Sequence, residues 1–396
     1  MVSLDGYQIT KEISEGKKSL VLRGQRLSDH QPVVIKILKK EYPTSEELAR
    51  FGREYDMTRS LNIDGVVNAY GLMKYKNGLA MILEDFGGDS FDKHIPLNDL
   101  PIPQILGLFI QISKILADIH KHKIMHKDIN PSNVVWNKTK NQVKIIDFGI
   151  STNLAWENPE ILNPDRMEGT LQYMSPEQTG RMNRSIDYRT DLYSLGVTFY
   201  EMLSGETPFQ VKDPIELIHC HIAKNPLEVH NLRHDVPISI SAIISKLVCK
   251  TAEERYQSAL GLLTDLKHCL EELNRDGQIA DFVPGRKDIS ERFEIPRKLY
   301  GREQELNTLF YSFDSVRKGN TEFILTSGSS GIGKSSLIHE IHKPIAESGG
   351  YFITGAFDQY KGNIPYDPMI QAFRQFLHRI LSESYDHVTR WKNRIL

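Results

Sequence analysis

Apolar and polar positions alternate in short runs from Tyr7 to Leu38 with turns between them, the pattern of an antiparallel β-sheet. Inside it, Val33-Val34-Ile35-Lys36-Ile37-Leu38 predicts a strand with a lysine enclosed in it. The period then lengthens: Leu48, Phe51, Tyr55 and Thr58 fall at helical spacing and predict a helix from Ser45 to Leu61. The unbroken run Leu79 to Leu83 predicts a buried strand leading to a turn at Gly87-Gly88. From Ile102 to Ile119 the apolar content raises the question of a membrane span. Gln111, Ser113, Lys114 and Asp118 interrupt it, so it predicts an amphipathic helix.

From about Asn274 to Leu299 the chain turns charged and turn-rich, with Asp276-Gly277, Pro284-Gly285 and Pro296. This predicts a linker, lying along a domain surface on the apolar anchors Phe282, Val283, Phe293 and Ile295. Leu299 to Leu306 opens a new helix and a second domain. There Phe323-Ile324-Leu325-Thr326-Ser327 predicts a strand, followed by a glycine loop and a helix start, and Tyr351 to Ala356 predicts a second strand.

A length of 396 residues exceeds what one core usually supports and agrees with two domains. The net charge of −2 gives no global attraction to nucleic acid or to an anionic membrane, so neither is expected as a partner. Cys220, Cys249 and Cys269 are isolated, which argues against a disulfide framework and a structural zinc site and fits a reducing, cytoplasmic setting. Met1 to Thr10 is too polar for a signal peptide, and no stretch is uninterrupted enough to span a bilayer.

The chemistry gathers between His126 and Gly149. His126-Lys127-Asp128-Ile129-Asn130-Pro131-Ser132-Asn133 and Ile145-Ile146-Asp147-Phe148-Gly149 offer two carboxylates and a carboxamide on short loops beside strands. Phosphoryl transfer needs such a set, because its catalysis is mostly placement and charge neutralisation. Spacing and order resemble the catalytic loop and Asp-Phe-Gly motif of eukaryotic-type serine/threonine protein kinases. The resemblance implies that Asp128 accepts the proton of the attacking hydroxyl and that Asn133 and Asp147 hold Mg²⁺. It also implies that Lys36 reaches the ATP phosphates with Glu54 as its partner, Glu47 being the fallback. Ser14, Gly16, Val21 and Val34 would border the nucleotide, with Ser14 and Ser19 standing where the family's loop has glycine. Leu83 would set the pocket depth, and backbone groups around Glu84 to Phe86 would meet the adenine.

The resemblance covers about Leu4 to Leu273 and continues past the catalytic loop. Glu168 to Glu177 resembles the peptide-binding loop and Ala-Pro-Glu motif, with Ser175 for alanine and Thr170 hydrogen-bonded to Asp128. Asp191 would brace the catalytic loop, and Arg255 would pair with Glu177. Two further departures matter: Lys127 replaces the arginine that in many members clamps a phosphorylated loop, and Asn130 replaces the lysine that neutralises the moving phosphate. Losing that charge costs on the order of 10²-fold in rate.

In the second domain, Gly328-Ser329-Ser330-Gly331-Ile332-Gly333-Lys334-Ser335 between a strand and a helix is a P-loop signature. Gly328, Gly331 and Gly333 would cradle phosphates, Lys334 would reach them and Ser335 would ligate Mg²⁺. With Tyr300-Gly301-Arg302-Glu303 the module resembles AAA-type ATPases. No apolar strand ending in Asp follows, and about two βα units are present where such a sheet needs several. The expectation is a fragment of a longer protein or a truncated product, its ATPase half binding nucleotide poorly and not hydrolysing it. The implied fold is α+β, a bilobal protein-kinase fold over 1–273, a linker over 274–299 and a partial α/β P-loop NTPase domain over 300–396. The domain order, with the segment Gln359 to Tyr366, resembles the amino-terminal region of bacterial hybrid sensor proteins that end in a histidine kinase. The leading expectation is an ATP- and Mg²⁺-dependent kinase acting on Ser/Thr hydroxyls of proteins, linked to downstream signalling domains or proteins. The alternatives are a silent nucleotide-binding scaffold and a P-loop ATPase alone.

Overall fold

The computed structural model describes residues 4–16, 18–153, 170–180, 186–288, 301–329, 332–341, 344–345, 348, 350–355, 365–381 and 391. The chain divides into one compact unit of residues 1–210 with 225–293, and another of 211–224 with 294–396.

The first unit opens with β1 (Tyr7–Glu15), β2 (Ser19–Arg26) and β3 (Pro32–Leu38), followed by α1 (Ser45–Ser60), β4 (Ala69–Tyr75) and β5 (Gly78–Glu84). The strands form an antiparallel sheet in the order β1-β2-β3-β5-β4. Strand alternation explains its two faces. Val33, Ile35 and Ile37 join Leu22, Ala80 and Ile82 in one core, which turns Val34 and Lys36 to the other face. α1 starts in a capping box, Thr44 accepting from the Glu47 N–H while Glu47 accepts from the Thr44 N–H. Its inward face carries Phe51, Glu54, Tyr55 and Thr58, with Phe51 and Tyr55 on Met81.

After β6 (Asp89–Ser90) the chain becomes mainly helical. α2 (Ile102–Lys121), β7 (Ile124–Met125), β8 (Val134–Asn137), β9 (Gln142–Ile145) and β10 (Thr152–Asn153) precede α3 (Arg189–Ser204). Then come α4 (Pro214–Ala223), α5 (Val229–Leu232), α6 (Ile238–Leu247) and α7 (Ala259–Asp276). β6, β8 and β9 make a small sheet and β7 pairs with β10, so the loops after β7 and β9 emerge side by side. Among the described residues α2 alone is long and apolar enough to cross a membrane. Its apolar side chains are spent inside: Ile105, Leu108, Phe109, Ile112 and Leu116 are buried, and the Phe109 and Phe199 rings stack at 3.7 Å. α3 and α6 meet at Gly196, where an added Cβ would lie 2.6 Å from the Leu247 Cβ.

Ser258 caps α7 through the Gly261 N–H, and Gly277, at φ +72°, ends it. The segment taken from sequence as the start of a linker thus continues the helix to Asp276 and then doubles back along it. Ala280 N–H donates to Glu272 at 2.9 Å, the Phe282 ring meets His268 edge-on, and Gly285 N–H donates to Asp265 at 2.6 Å. Asp288 accepts from Ser258 Oγ at 2.7 Å and from the Gln257 N–H. Ile279 and Phe282 pack on the core, whereas Val283 is 71% exposed and anchors nothing. The expected anchors Phe293 and Ile295 lie outside the described residues.

The second unit contains α4 together with α8 (Glu303–Arg317), α9 (Lys334–His339) and α10 (Asp367–Leu381). Neither of the two runs expected as strands, within 321–329 and 351–355, is paired in a ladder among the described residues, and Phe323 and Leu325 are 90% and 81% exposed. An apolar run makes a strand only when a neighbouring strand takes up its N–H and C=O groups.

Candidate active site

The sheet register builds one wall of a cleft. Val21 lies opposite Lys36, Val34 opposite Leu83, and Lys36 opposite Met81. Facing pairs share a side of the sheet, so Val21, Val34, Lys36 and Leu83 line the same face. Ser14 opposes Val21, and the Gly16 N–H donates to the Ser19 carbonyl at 2.9 Å, closing the turn above them.

Lys36 Nζ lies 2.6 Å from Glu54 Oε1 and 3.0 Å from Asp147 Oδ2. Glu47, two turns earlier, is taken by the α1 cap and by Lys40 at 3.1 Å, and so is not the lysine's partner. Burial opposes the Lys36 charge, but the Glu54 and Asp147 carboxylates outweigh it and hold the pKa above the usual lysine range. Burial likewise opposes Asp147, and Lys36 with the Gly149 N–H keeps its carboxyl below the usual range. For Glu54, burial wins and pushes the carboxyl up. Asp147 adopts φ +66°, an uncommon conformation for a residue with a side chain, which turns its carboxylate to Lys36.

Asp128 is held from both sides. Its Oδ1 accepts from the Thr170 backbone N–H at 2.9 Å, and its Oδ2 from Asn133 Nδ2 at 3.1 Å. With its nitrogen on Asp128, the Asn133 carboxamide turns its oxygen the other way. The loop beneath is braced by buried Asp191, which accepts from the His126 N–H at 2.9 Å and the Lys127 N–H at 2.7 Å. Asn130 bonds within the loop and across to Thr170: Nδ2 donates to the Asp128 carbonyl at 3.0 Å and to Thr170 Oγ1 at 3.4 Å, and Oδ1 accepts from the Ser132 N–H at 3.0 Å. A cavity of about 780 Å³ opens onto Lys36, Glu54, Asp128, Asp147 and Thr170.

Glu84 sits on the opposite face from Leu83, so its side chain does not enter the cleft. It accepts from Lys144 Nζ at 2.8 and 2.9 Å and from both Asn68 nitrogens, and its own N–H donates to the Asn68 carbonyl. The Phe86 carbonyl accepts from Asn137 Nδ2 at 2.5 Å. Asn68, Asn137, Lys144 and, nearer the catalytic loop, Gln178 were missed by sequence reasoning. Each acts on a residue 16 to 60 positions away, and no local spacing marks it.

Arg255 and Glu177 form a buried two-pronged pair at 2.6 and 2.8 Å, away from the cleft. Arg255 brings the Glu177 carboxyl down to about 2 against the cost of burial. Glu168 and Gly169 lie outside the described residues. In the second unit, Gly333 at φ +91° leads into α9, and Lys334 Nζ donates to the Gly328 and Ser329 carbonyls at 2.9 and 2.8 Å. Gly331 and the Ser335 side chain lie outside the described residues, as does most of the Gln359 to Tyr366 segment.

Comparison with known proteins matches residues 7–268 to the protein kinase domain and residues 298–396 to the AAA ATPase domain. The chain is similar to hybrid signal transduction histidine kinase G of Dictyostelium discoideum, at 40% identity over 57% of this chain and 7% of that protein. It is also similar to a probable serine/threonine-protein kinase of Clostridium acetobutylicum, at 30% identity over 66% of this chain and 39% of that one. The serine/threonine-protein kinase PknB of Mycolicibacterium smegmatis matches at 30% identity over 66% of this chain and 42% of its own length. The chain therefore spans less than half of each of these relatives. A five-stranded lobe over a helical one, an ion-paired strand lysine and the matched family place it: the chain belongs to the protein kinase family, with an AAA ATPase domain following.

Proposed function

We propose that the chain is an ATP- and Mg²⁺-dependent kinase that transfers the γ-phosphate to serine or threonine hydroxyls of protein substrates. The second unit would be a nucleotide-binding module serving downstream signalling domains or proteins. The observation that carries the reading is the Asp128 carboxylate, fixed between Thr170 and Asn133 at the cavity shared with Lys36 and Asp147.

The donor set suits the metal. An amide oxygen and a carboxylate are hard ligands, and Mg²⁺ in phosphate sites commonly takes one or two protein ligands, leaving the rest of its shell to phosphate and water. When bound, Mg²⁺ neutralises phosphate charge. Lys36, kept charged by its two carboxylates, would hold the inner phosphates, with Glu54 fixing its direction. Asp128 would orient the acceptor hydroxyl and take its proton as the new bond forms. Thr170 would hold Asp128 from the substrate side.

Asp128→Ala in the full chain should lower labelling of a generic protein by γ-labelled ATP by about 10²–10⁴-fold while Mg²⁺-ATP binding persists. Equal labelling by the variant overturns the reading. A second reading, a silent nucleotide-binding scaffold, is favoured by Asn130, whose amide is engaged by its own loop and by Thr170 and supplies no cation. Mg²⁺-ATP binding without turnover in the wild-type chain would select it.

A further inference from the structure

The residue before Asp128 is in an uncommon conformation. Lys127 has φ +68°, a left-handed geometry that costs a residue with a side chain on the order of 1–2 kcal/mol. Both of its backbone polar groups are held by buried side chains. Asp191 accepts from its N–H at 2.7 Å, and its carbonyl accepts from Gln178 Nε2 at 2.8 Å. Gln178 is 4% exposed. We infer that Gln178 is a positioning residue for Asp128, fixing the Lys127–Asp128 peptide from the substrate-binding segment.

The network admits only one orientation of the Gln178 amide. Its Oε1 accepts from the Ser175 N–H at 3.0 Å, and a backbone N–H can only donate. Its nitrogen faces the Lys127 carbonyl, which can only accept. A flipped amide would break both bonds. Ser175 Oγ lies 3.1 Å from the same Oε1 and 3.3 Å from Thr190 Oγ1, and Thr190 donates to Glu177 at 2.8 Å. The hydroxyl at 175, where the resembling motif has alanine, therefore adds a second donor that holds the amide in place. The Ser175 N–H and hydroxyl thus hold the side-chain oxygen of Gln178, next in sequence to Glu177 and its Arg255 pair, while the Gln178 nitrogen holds the peptide that carries Asp128. Without Gln178 the Lys127 carbonyl loses this buried donor and the peptide before Asp128 is fixed by one bond fewer, and a displacement near 1 Å costs about 10²-fold in rate.

The inference rests on the phosphotransfer reading, and its test has one arm that needs no turnover. In the full chain, Gln178→Glu should lower kcat about 10- to 100-fold at pH 8, with KM for ATP within about threefold because Lys36, Glu54 and Asp147 are untouched. The ratio to wild type should recover as pH falls towards 5, since a protonated carboxyl can again donate to the Lys127 carbonyl. Gln178→Met, similar in shape, should show the loss without the recovery. Separately, the ¹³C resonance of the labelled Lys127 carbonyl should move with pH in Gln178→Glu and stay still in Gln178→Met. If Gln178→Glu does not fold, Ser175→Ala should still lower kcat about two- to fivefold at constant KM. An active wild type whose kcat and carbonyl resonance ignore these substitutions overturns the inference. An inactive wild type, with the Lys127 carbonyl resonance still moving with pH in Gln178→Glu and not in Gln178→Met, sinks the kinase reading and leaves the positioning role standing.

Discussion

At the scale of the residue, the groups holding the first unit's geometry are charged pairs removed from water. Arg255 and Glu177 touch no substrate position, yet each is buried and each completes the other's hydrogen bonding. Glu177→Gln leaves a buried guanidinium without its counter-charge and should cost about 3–5 kcal/mol in urea or thermal unfolding. A loss below 1 kcal/mol would show the pair to be dispensable. Acid has the same target. The folded carboxyl sits at about 2 against the ordinary 4.5, so this contribution is complete above about 4.5 and is lost as pH falls through about 2. Glu84 teaches a different lesson about what a sequence shows. Its place beside Leu83 invites a role in the cleft, but alternation along β5 sends the two side chains to opposite faces. The face was legible from the strand period; the partners Lys144 and Asn68, 60 and 16 residues away, were not.

At the scale of the element, close approach decides more than propensity. A glycine inside a helix normally costs about 1 kcal/mol relative to alanine. At Gly196 the sign reverses, because the new methyl would meet the Cβ of Leu247 and the Val248 side chain rather than a flexible tip. Gly196→Ala should therefore destabilise by about 1–2 kcal/mol net, measured by chemical denaturation. A stabilised variant would mean that α3 and α6 separate at little cost. α1 and α2 were legible because their apolar spacing is helical and long. The runs 323–327 and 351–355, unpaired among the described residues, show the matching limit: apolar content is local, whereas a strand exists only through its neighbours.

At the scale of the whole molecule, the order of the two domains could be read from motifs, and the structure brings together Lys36, Glu54 and Asp147, and Asp128 with Asn133, all of which bear local signatures. The path of the chain after α7 was legible in part: Phe282 was expected as an anchor on a domain surface and packs on the core, whereas Val283 does not. Charged, turn-rich composition reads as a spacer, while Ile279 and Phe282 on the core and Asp288 at the head of α7 make 277–288 part of the first unit. A chain cut after Asp276 should be less stable than one cut after Asp288 by about 2 kcal/mol, a melting temperature about 4–8 °C lower. Equal melting would mean that the returning segment adds nothing to the fold.

That return path also decides how the first unit would bear a load. α7 is 18 residues long, about 27 Å, and the backbone retraces it before passing residue 288. A pull on the chain from beyond that point would fall first on Asp288 and then on the bonds towards Gly277, one after another, before the helix itself felt tension. The strap is thus a peelable tether, which yields in small steps and spares the lobe that carries the cleft.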